Sequence, residues 1–376
     1  MPLFEEPLHV GRPNIGNRDR LMERMADMLD RRWFTNHGPY VQALEQRLAE
    51  LIGVKHCLAV CNATVGLEIA VRALGLRGEV IVPAFTFVAT AHALQWQEIT
   101  PVFCDIDRNR HLIDPDRVET MITPRTTGII GVHTWGRSAP VEALREIAQR
   151  RGLALLYDAA HAFACTHRGQ MIGSFGACEV FSFHATKFLN SFEGGAIATN
   201  DDDLARKIRL MTNFGFQGYD DVGYVGTNGK MTEICAVMGL TSLESIDEFV
   251  AANERNFLVY ERELSGLPGV TVLGYEPGER YNYQYVVIEL DEASAGVSRD
   301  TVIDRLQAEN VIARRYFHPG VHRMEPYRSL FPHASLLLPV TEEVCRRVIV
   351  LPTGTAVSED TVRRVCGLLR RLIESR

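Results

Sequence analysis

The chain has 376 residues, of which 46% are hydrophobic and 23% charged, and its formal net charge is -7. That composition suits a soluble globular enzyme of two or three domains, and with no basic run it argues against nucleic acid as the main partner. No apolar run reaches the roughly 18 residues of a membrane span, and the start, Met1-Pro2-Leu3-Phe4-Glu5-Glu6, lacks a basic-then-apolar signal segment, so a cytoplasmic, reducing location is expected. The eight cysteines form no CxxC pair. Cys57 and Cys61 flank the strand-like Leu58-Ala59-Val60 and read as small buried residues, not as zinc ligands.

In chain order, Thr35-Asn36-His37-Gly38-Pro39 is a turn, and 41–51 is an amphipathic helix with Pro39 just before it. After Leu58-Ala59-Val60, a second helix spans 65–74. Short apolar runs follow at Val80-Ile81-Val82, Pro101-Val102-Phe103 and 128–132. A helix over 140–151 is entered through Ser138 and a proline. Leu153-Ala154-Leu155-Leu156-Tyr157-Asp158 is a buried strand ending in a carboxylate, and 180–183 and 196–199 add two more strands. Most of these runs do not alternate with polar residues, which fits a sheet covered on both faces. Helical patterns over 201–213 and 232–245 complete an order of βα units, which implies an α/β fold with a largely parallel sheet. A long helix at 250–264 can bridge to a small C-terminal α+β domain. There, strands at 270–272, 283–290 and 312–317 accompany helices at 299–309 and 359–374. The expected division is 1–248 and 249–376.

Lys187 lies in Phe181-Ser182-Phe183-His184-Ala185-Thr186-Lys187, followed by Glu193-Gly194-Gly195. A lysine in an apolar pocket can lose its proton near neutral pH, because desolvation disfavours the ammonium form, and a neutral amine can form a Schiff base with a carbonyl. A buried strand-end acid such as Asp158 can hold a pyridine nitrogen protonated, so the pair is what pyridoxal phosphate needs. Backbone N–H groups near Asn62-Ala63-Thr64, with the Thr64 hydroxyl, would make an anion site at a helix start. A flat aromatic in Phe85-Thr86-Phe87 could stack on the ring. Singly, each has a plainer reading: an N-cap, a core phenylalanine, a surface acid, a solvated lysine. Jointly, most fall at or just past the C-terminal ends of predicted strands, where ligand sites of such sheets gather.

These motifs resemble the nucleotide-sugar aminotransferases of the aspartate-aminotransferase superfamily. The resemblance runs through Gly38-Pro39-Tyr40, Asn62-Ala63-Thr64, Val82-Pro83-Ala84-Phe85-Thr86-Phe87, Pro101-Val102-Phe103-Cys104-Asp105-Ile106-Asp107, His133-Thr134-Trp135-Gly136 and Asp158-Ala159-Ala160-His161. It continues through the lysine segment and Asn228-Gly229-Lys230-Met231-Thr232-Glu233. It implies a large domain with a seven-stranded-type sheet sandwiched by helices, and pyridoxal 5'-phosphate as cofactor. Lys187 would carry the Schiff base and shuttle the proton, Asp158 would pair with the ring nitrogen, and Phe87 would stack. Ala63, Thr64 and Ser182 would hold the phosphate, and Asn228 would reach it from the neighbouring subunit of a homodimer with shared sites. His161 stands where many relatives have glutamine beside the ring hydroxyl, and Lys230 where many have arginine.

The implied reaction is a two-stage transfer from L-glutamate to a nucleotide-linked keto sugar, with ping-pong kinetics. His184-Ala185-Thr186-Lys187 resembles the branch that aminates dTDP-4-keto-6-deoxy sugars at C4; amination at the 3-keto position is the alternative. In Arg315-Tyr316-Phe317-His318-Pro319, Arg315 or His318 would meet the pyrophosphate of the sugar nucleotide or serve structure alone. Rival readings are a dehydratase of the same fold, which would carry histidine in place of Lys187, a non-catalytic sugar-nucleotide-binding protein, and an enzyme making an aminated aromatic acid.

Overall fold

Seven short strands meet in one sheet: β1 (His56–Val60), β2 (Glu79–Pro83), β3 (Thr100–Cys104), β4 (Thr126–Val132), β5 (Ala154–Asp158), β6 (Cys178–Ser182) and β7 (Gly195–Thr199). The structure, a computed structural model, describes residues 2–374. Across the sheet the order is β1-β7-β6-β5-β4-β2-β3. All neighbours pair in parallel except β7, which runs antiparallel between β6 and β1. The expected mostly parallel sheet sandwiched by helices is present. Alternate residues of each apolar run enter different layers, which is why the runs do not alternate in sequence. Val80, Val82, Ile130 and Leu156 pack with Leu67 and Ile208 on one side. Ile81, Ile129 and Leu155 pack with Leu144 and Ile147 on the other, and Ala59 and Phe181 with Leu44 and Leu48 beside them.

Helix Pro39–Ile52 has Gly38 as its N-cap, and no side chain of its own caps it. The Glu233 carboxylate does so from across the fold, accepting from the Tyr40 and Val41 amides at 2.9 Å each. A Cβ at Gly38 would lie 2.6 Å from that carboxyl carbon. Two of the resemblance-bearing segments are thus explained by one helix cap. Ser138 does not cap the next expected helix: its hydroxyl donates to the Ala139 carbonyl, and the helix runs Val141–Arg151 from Pro140.

The C-terminal unit is a three-stranded antiparallel sheet, β8 (Val270–Val272), β9 (Val286–Leu290) and β10 (Val348–Leu351), in that order. Its core joins these strands to helices Ile246–Leu264, Arg299–Ala308 and Glu359–Glu374. Two expectations need correction here. The strand over 312–317 is absent: Val311–Ile312 pairs with Leu8–His9, and Arg314 makes a lone bridge to Val350. The edge strand is β10, which follows helix Pro339–Arg347 without a loop to announce it. Strand β9 begins at Val286, not at 283, because Tyr283 has a φ of +47° and breaks the extended run. The division expected at 248/249 lies within the first turn of helix Ile246–Leu264. That helix gives Phe249 to one core and Phe257, Tyr260 and Leu264 to the other. Phe4 buries in the C-terminal core, with Leu3 and Leu8 packed against it.

Candidate active site

At the C-terminal edge of the large sheet lies a cavity of about 680 Å³. It brings together Ala63, Thr64, Phe87, Asp158, His161, Ser182 and Lys187 from four separate stretches of chain. Lys187 sits on the loop between β6 and β7. That loop is closed at its base by Phe183 N–H to the Gly194 carbonyl (2.8 Å) and Ser191 N–H to the Phe183 carbonyl (2.9 Å). Strand β7 then passes so close to the start of helix Ala63–Ala73 that a Cβ at Gly195 would meet the Phe181 carbonyl at 2.6 Å and the Ala63 nitrogen at 2.9 Å.

The Lys187 amine points at the Tyr285 hydroxyl, 3.4 Å away. Its pKa is pulled from the ordinary 10.5 to about 8, chiefly by desolvation, with the Asp158 charge pulling the other way. Asp158 is the last residue of β5 and is buried. Its Oδ2 accepts from the Thr90 hydroxyl (2.7 Å), which is joined to Thr86 (2.9 Å), and its Oδ1 accepts from the Ala160 amide (3.1 Å). Thr86 and Thr90 are four residues apart where a helix begins, a spacing that could have flagged them. At the start of helix Ala63–Ala73, Asn62 Oδ1 accepts from the Val65 amide. The amides of Ala63 and Thr64 ahead of it have no partner within the helix and suit an anion. The Phe87 ring is 56% exposed on the cavity side of the sheet, unlike its fully buried neighbour Phe85.

His161 is buried, and Trp135 N–H donates to its Nδ1 at 3.4 Å, which leaves Nε2 to carry the proton. Burial, then the charge of Lys187, holds its pKa well below the usual value, so the ring is neutral. It lies among Trp135 (5.9 Å, 20°), Phe317 (5.8 Å, 12°) and Tyr285 (4.5 Å, 49°). Tyr285, Tyr316 and Phe317 line the cavity from the C-terminal unit. Tyr285 carries no local sign of this role, since it arrives across the domain boundary, whereas Tyr316 and Phe317 belong to the 315–319 segment already singled out.

Arg315, His318 and Lys230 do not line this cavity, and neither does Asn228, whose expected place is the neighbouring subunit's site. Arg315 pairs with Asp300 (2.9 Å) and His318 Nδ1 meets Arg299 (3.3 Å), beside a separate shallow surface depression. In the free chain these contacts fit the structural role that was the alternative to meeting the sugar nucleotide. Lys230 donates to Asn213 Oδ1 (2.6 Å) and lies over the Phe214 ring. Asn228 is exposed and pairs through its backbone with Asn213.

Fold and cleft together define an α/β enzyme with a lysine in a cleft at the edge of a large, mostly parallel sheet. The chain belongs to the DegT/DnrJ/EryC1/StrS aminotransferase family, whose model matches residues 16–370, and it is an aminotransferase. It is 34% identical over 369 residues to the dTDP-4-amino-4,6-dideoxy-D-glucose transaminase of Shigella dysenteriae, covering 98% of this chain and 100% of that one. It is also 34% identical to the GDP-perosamine synthase of Caulobacter vibrioides, covering 97% and 98%. Among solved structures, DesI in the presence of its TDP-sugar product superposes with a TM-score of 0.96 at 49% identity, covering 100% of this chain and 95% of that one.

Proposed function

We propose that this aminotransferase uses pyridoxal 5'-phosphate to move an amino group from L-glutamate to C4 of a nucleotide-linked 4-keto-6-deoxy sugar, dTDP-4-keto-6-deoxy-glucose. One observation carries the reading: a single cavity joins a free helix N-terminus, an exposed aromatic ring, a buried carboxylate and a lysine whose amine is half-neutral near pH 8. The donor set fits that cofactor. The amides of Ala63 and Thr64, with the Ser182 hydroxyl, suit its phosphate, and Phe87 covers one ring face. Asp158 keeps two protein donors and can take a third at the ring nitrogen. His161 offers an Nε2–H to the ring oxygen. When bound, pyridoxal phosphate supplies the carbonyl that carries the amino group and a ring that delocalises charge.

Lys187 Nζ, released by the donor, takes the proton from the donor α-carbon and later returns one to the sugar carbon. The Tyr285 hydroxyl orients that amine between the two tasks. The C4 assignment and the thymidine nucleotide are favoured by the relatives named for dTDP-4-amino sugars and TDP-sugar. A cytoplasmic homodimer completes the reading: Asn228, exposed and away from its own cavity, serves the neighbouring subunit's phosphate. The test has two parts. Purified protein should show a visible absorption band that disappears on adding glutamate. Glutamate plus a panel of nucleotide-linked keto sugars should then give, by NMR, the C4-aminated dTDP product. A C3 amine, or no turnover with any keto sugar, would refute the assignment.

A further inference from the structure

Loop 105–111 of the large domain seats the C-terminal unit through side chains. Asp105 accepts from the amides of Val340 (3.0 Å) and Thr341 (2.7 Å) and from the Thr341 hydroxyl (2.7 Å), and so caps helix Pro339–Arg347. Arg108 pairs with Glu289 (2.7 Å) and Glu343 (3.3 Å). His111, fully buried, places Nε2 2.8 Å from Glu289 Oε1. An ionised carboxylate only accepts, so it fixes the proton on His111 Nε2 and frees Nδ1. That Nδ1 accepts the indole N–H of Trp135 at 3.3 Å. Trp135 is itself held in the left-handed region (φ +63°), a conformation a bulky residue keeps only when its surroundings impose it. It is this backbone that donates to His161 Nδ1. Phe317 stacks on Trp135 (5.2 Å, 10°) and closes the assembly.

We propose that Glu289, acting through His111 and the Trp135 indole, is a positioning residue that holds His161 with its Nε2–H turned into the cleft. Glu289 lies on the central strand of the C-terminal unit, β9, so the seating of that unit is transmitted to a cleft side chain. The chemical part of this rests on the cofactor reading above; the hydrogen-bond relay does not. Burial alone would raise the Glu289 carboxyl, but His111 and Arg108 overcome it and hold the pKa at about 2, so the acceptor stays ionised across the working range.

The test reads ring-nitrogen tautomers by long-range 1H–15N NMR in cofactor-free protein with labelled histidine, His161 being assigned from His161→Gln. In the parent, His111 and His161 should both be neutral with Nε2 protonated. Glu289→Gln should mix the tautomers of both; Trp135→Phe, which cuts the relay after His111, should change His161 alone. In the loaded enzyme each substitution should lower kcat about five- to tenfold, the size of one lost hydrogen bond, with KM changed less than twofold. A His161 spectrum unchanged in both variants, or changed in Trp135→Phe but not in Glu289→Gln, overturns the proposal. If Glu289→Gln does not fold, Trp135→Phe decides alone, an unchanged His161 again being the overturning result. Failure of the parent to bind pyridoxal phosphate, read by absorbance, would strike the cofactor reading and leave the NMR result standing.

Discussion

Replacing Lys187 by methionine should end transamination and, in the cofactor-free protein at neutral pH, raise stability. The amine has a pKa of about 8 in the folded chain, against 10.5 when solvated. Below pH 8 both states bind the proton, and the folded state carries the full cost of a desolvated ammonium. Between about pH 8 and 10.5 only the unfolded chain binds it, so stability climbs with pH; above 10.5 neither does, and the cost is gone. A gap of about 2.5 pH units at about 1.4 kcal/mol each amounts to about 3 kcal/mol. The favourable pull of Asp158 is already contained in that net value. Methionine keeps an unbranched stem without the charge. Urea unfolding of dialysed Lys187→Met and parent, at matched protein concentration, should show the variant ahead by about 3 kcal/mol at pH 7 and by less than about 1 kcal/mol at pH 10.5. A variant less stable than the parent at pH 7, or a margin that does not shrink on raising pH, would refute the argument that this amine is held against its own hydration.

Other outcomes follow from the same geometry. Asp158→Asn should lower kcat by at least about a hundredfold, from loss of the carboxylate proposed to pair with the ring nitrogen; circular dichroism should stay at the parent's value because the Thr90 and Ala160 contacts can persist. Phe87→Ala should weaken cofactor binding about tenfold, the worth of one stacked aromatic pair, measured by titrating apoenzyme with pyridoxal phosphate; unchanged affinity would remove the ring from that role. Gly195→Ala should destabilise the fold by about 1–3 kcal/mol and impair phosphate binding, since the added carbon meets two backbone atoms, neither of which can swing aside. A melting temperature within a degree of the parent's would contradict the close approach.

Much of the large domain was legible because its strands are buried on both faces, and buried runs such as Val80-Ile81-Val82 stand out against the helices between them. Lys187 and Asp158 were legible because each follows such a run at the sheet edge. The C-terminal unit was harder to read. Strand β10 merges with the helix before it, and 312–317 has the apolar texture of a strand but only Ile312 of it lies in one, Val311–Ile312. Arg315 and His318 were singled out through the resemblance of segment 315–319, with a structural role left open, and the sequence does not announce that Asp300 and Arg299 lie within reach of them. Tyr285 and Phe317 were missed for the opposite reason: they are ordinary aromatics whose place in the cleft depends on how two domains meet.

The cap that Asp105 places on helix Pro339–Arg347 bears on anyone who would exchange parts between relatives. The helix takes its first-turn acceptor from the other half of the chain, and Glu289 takes its counter-charge there too. A chimaera joined within helix Ile246–Leu264 would separate both sets of partners even if the splice were seamless. Swapping the C-terminal portion to change sugar preference therefore requires transplanting residues 105–111 along with it.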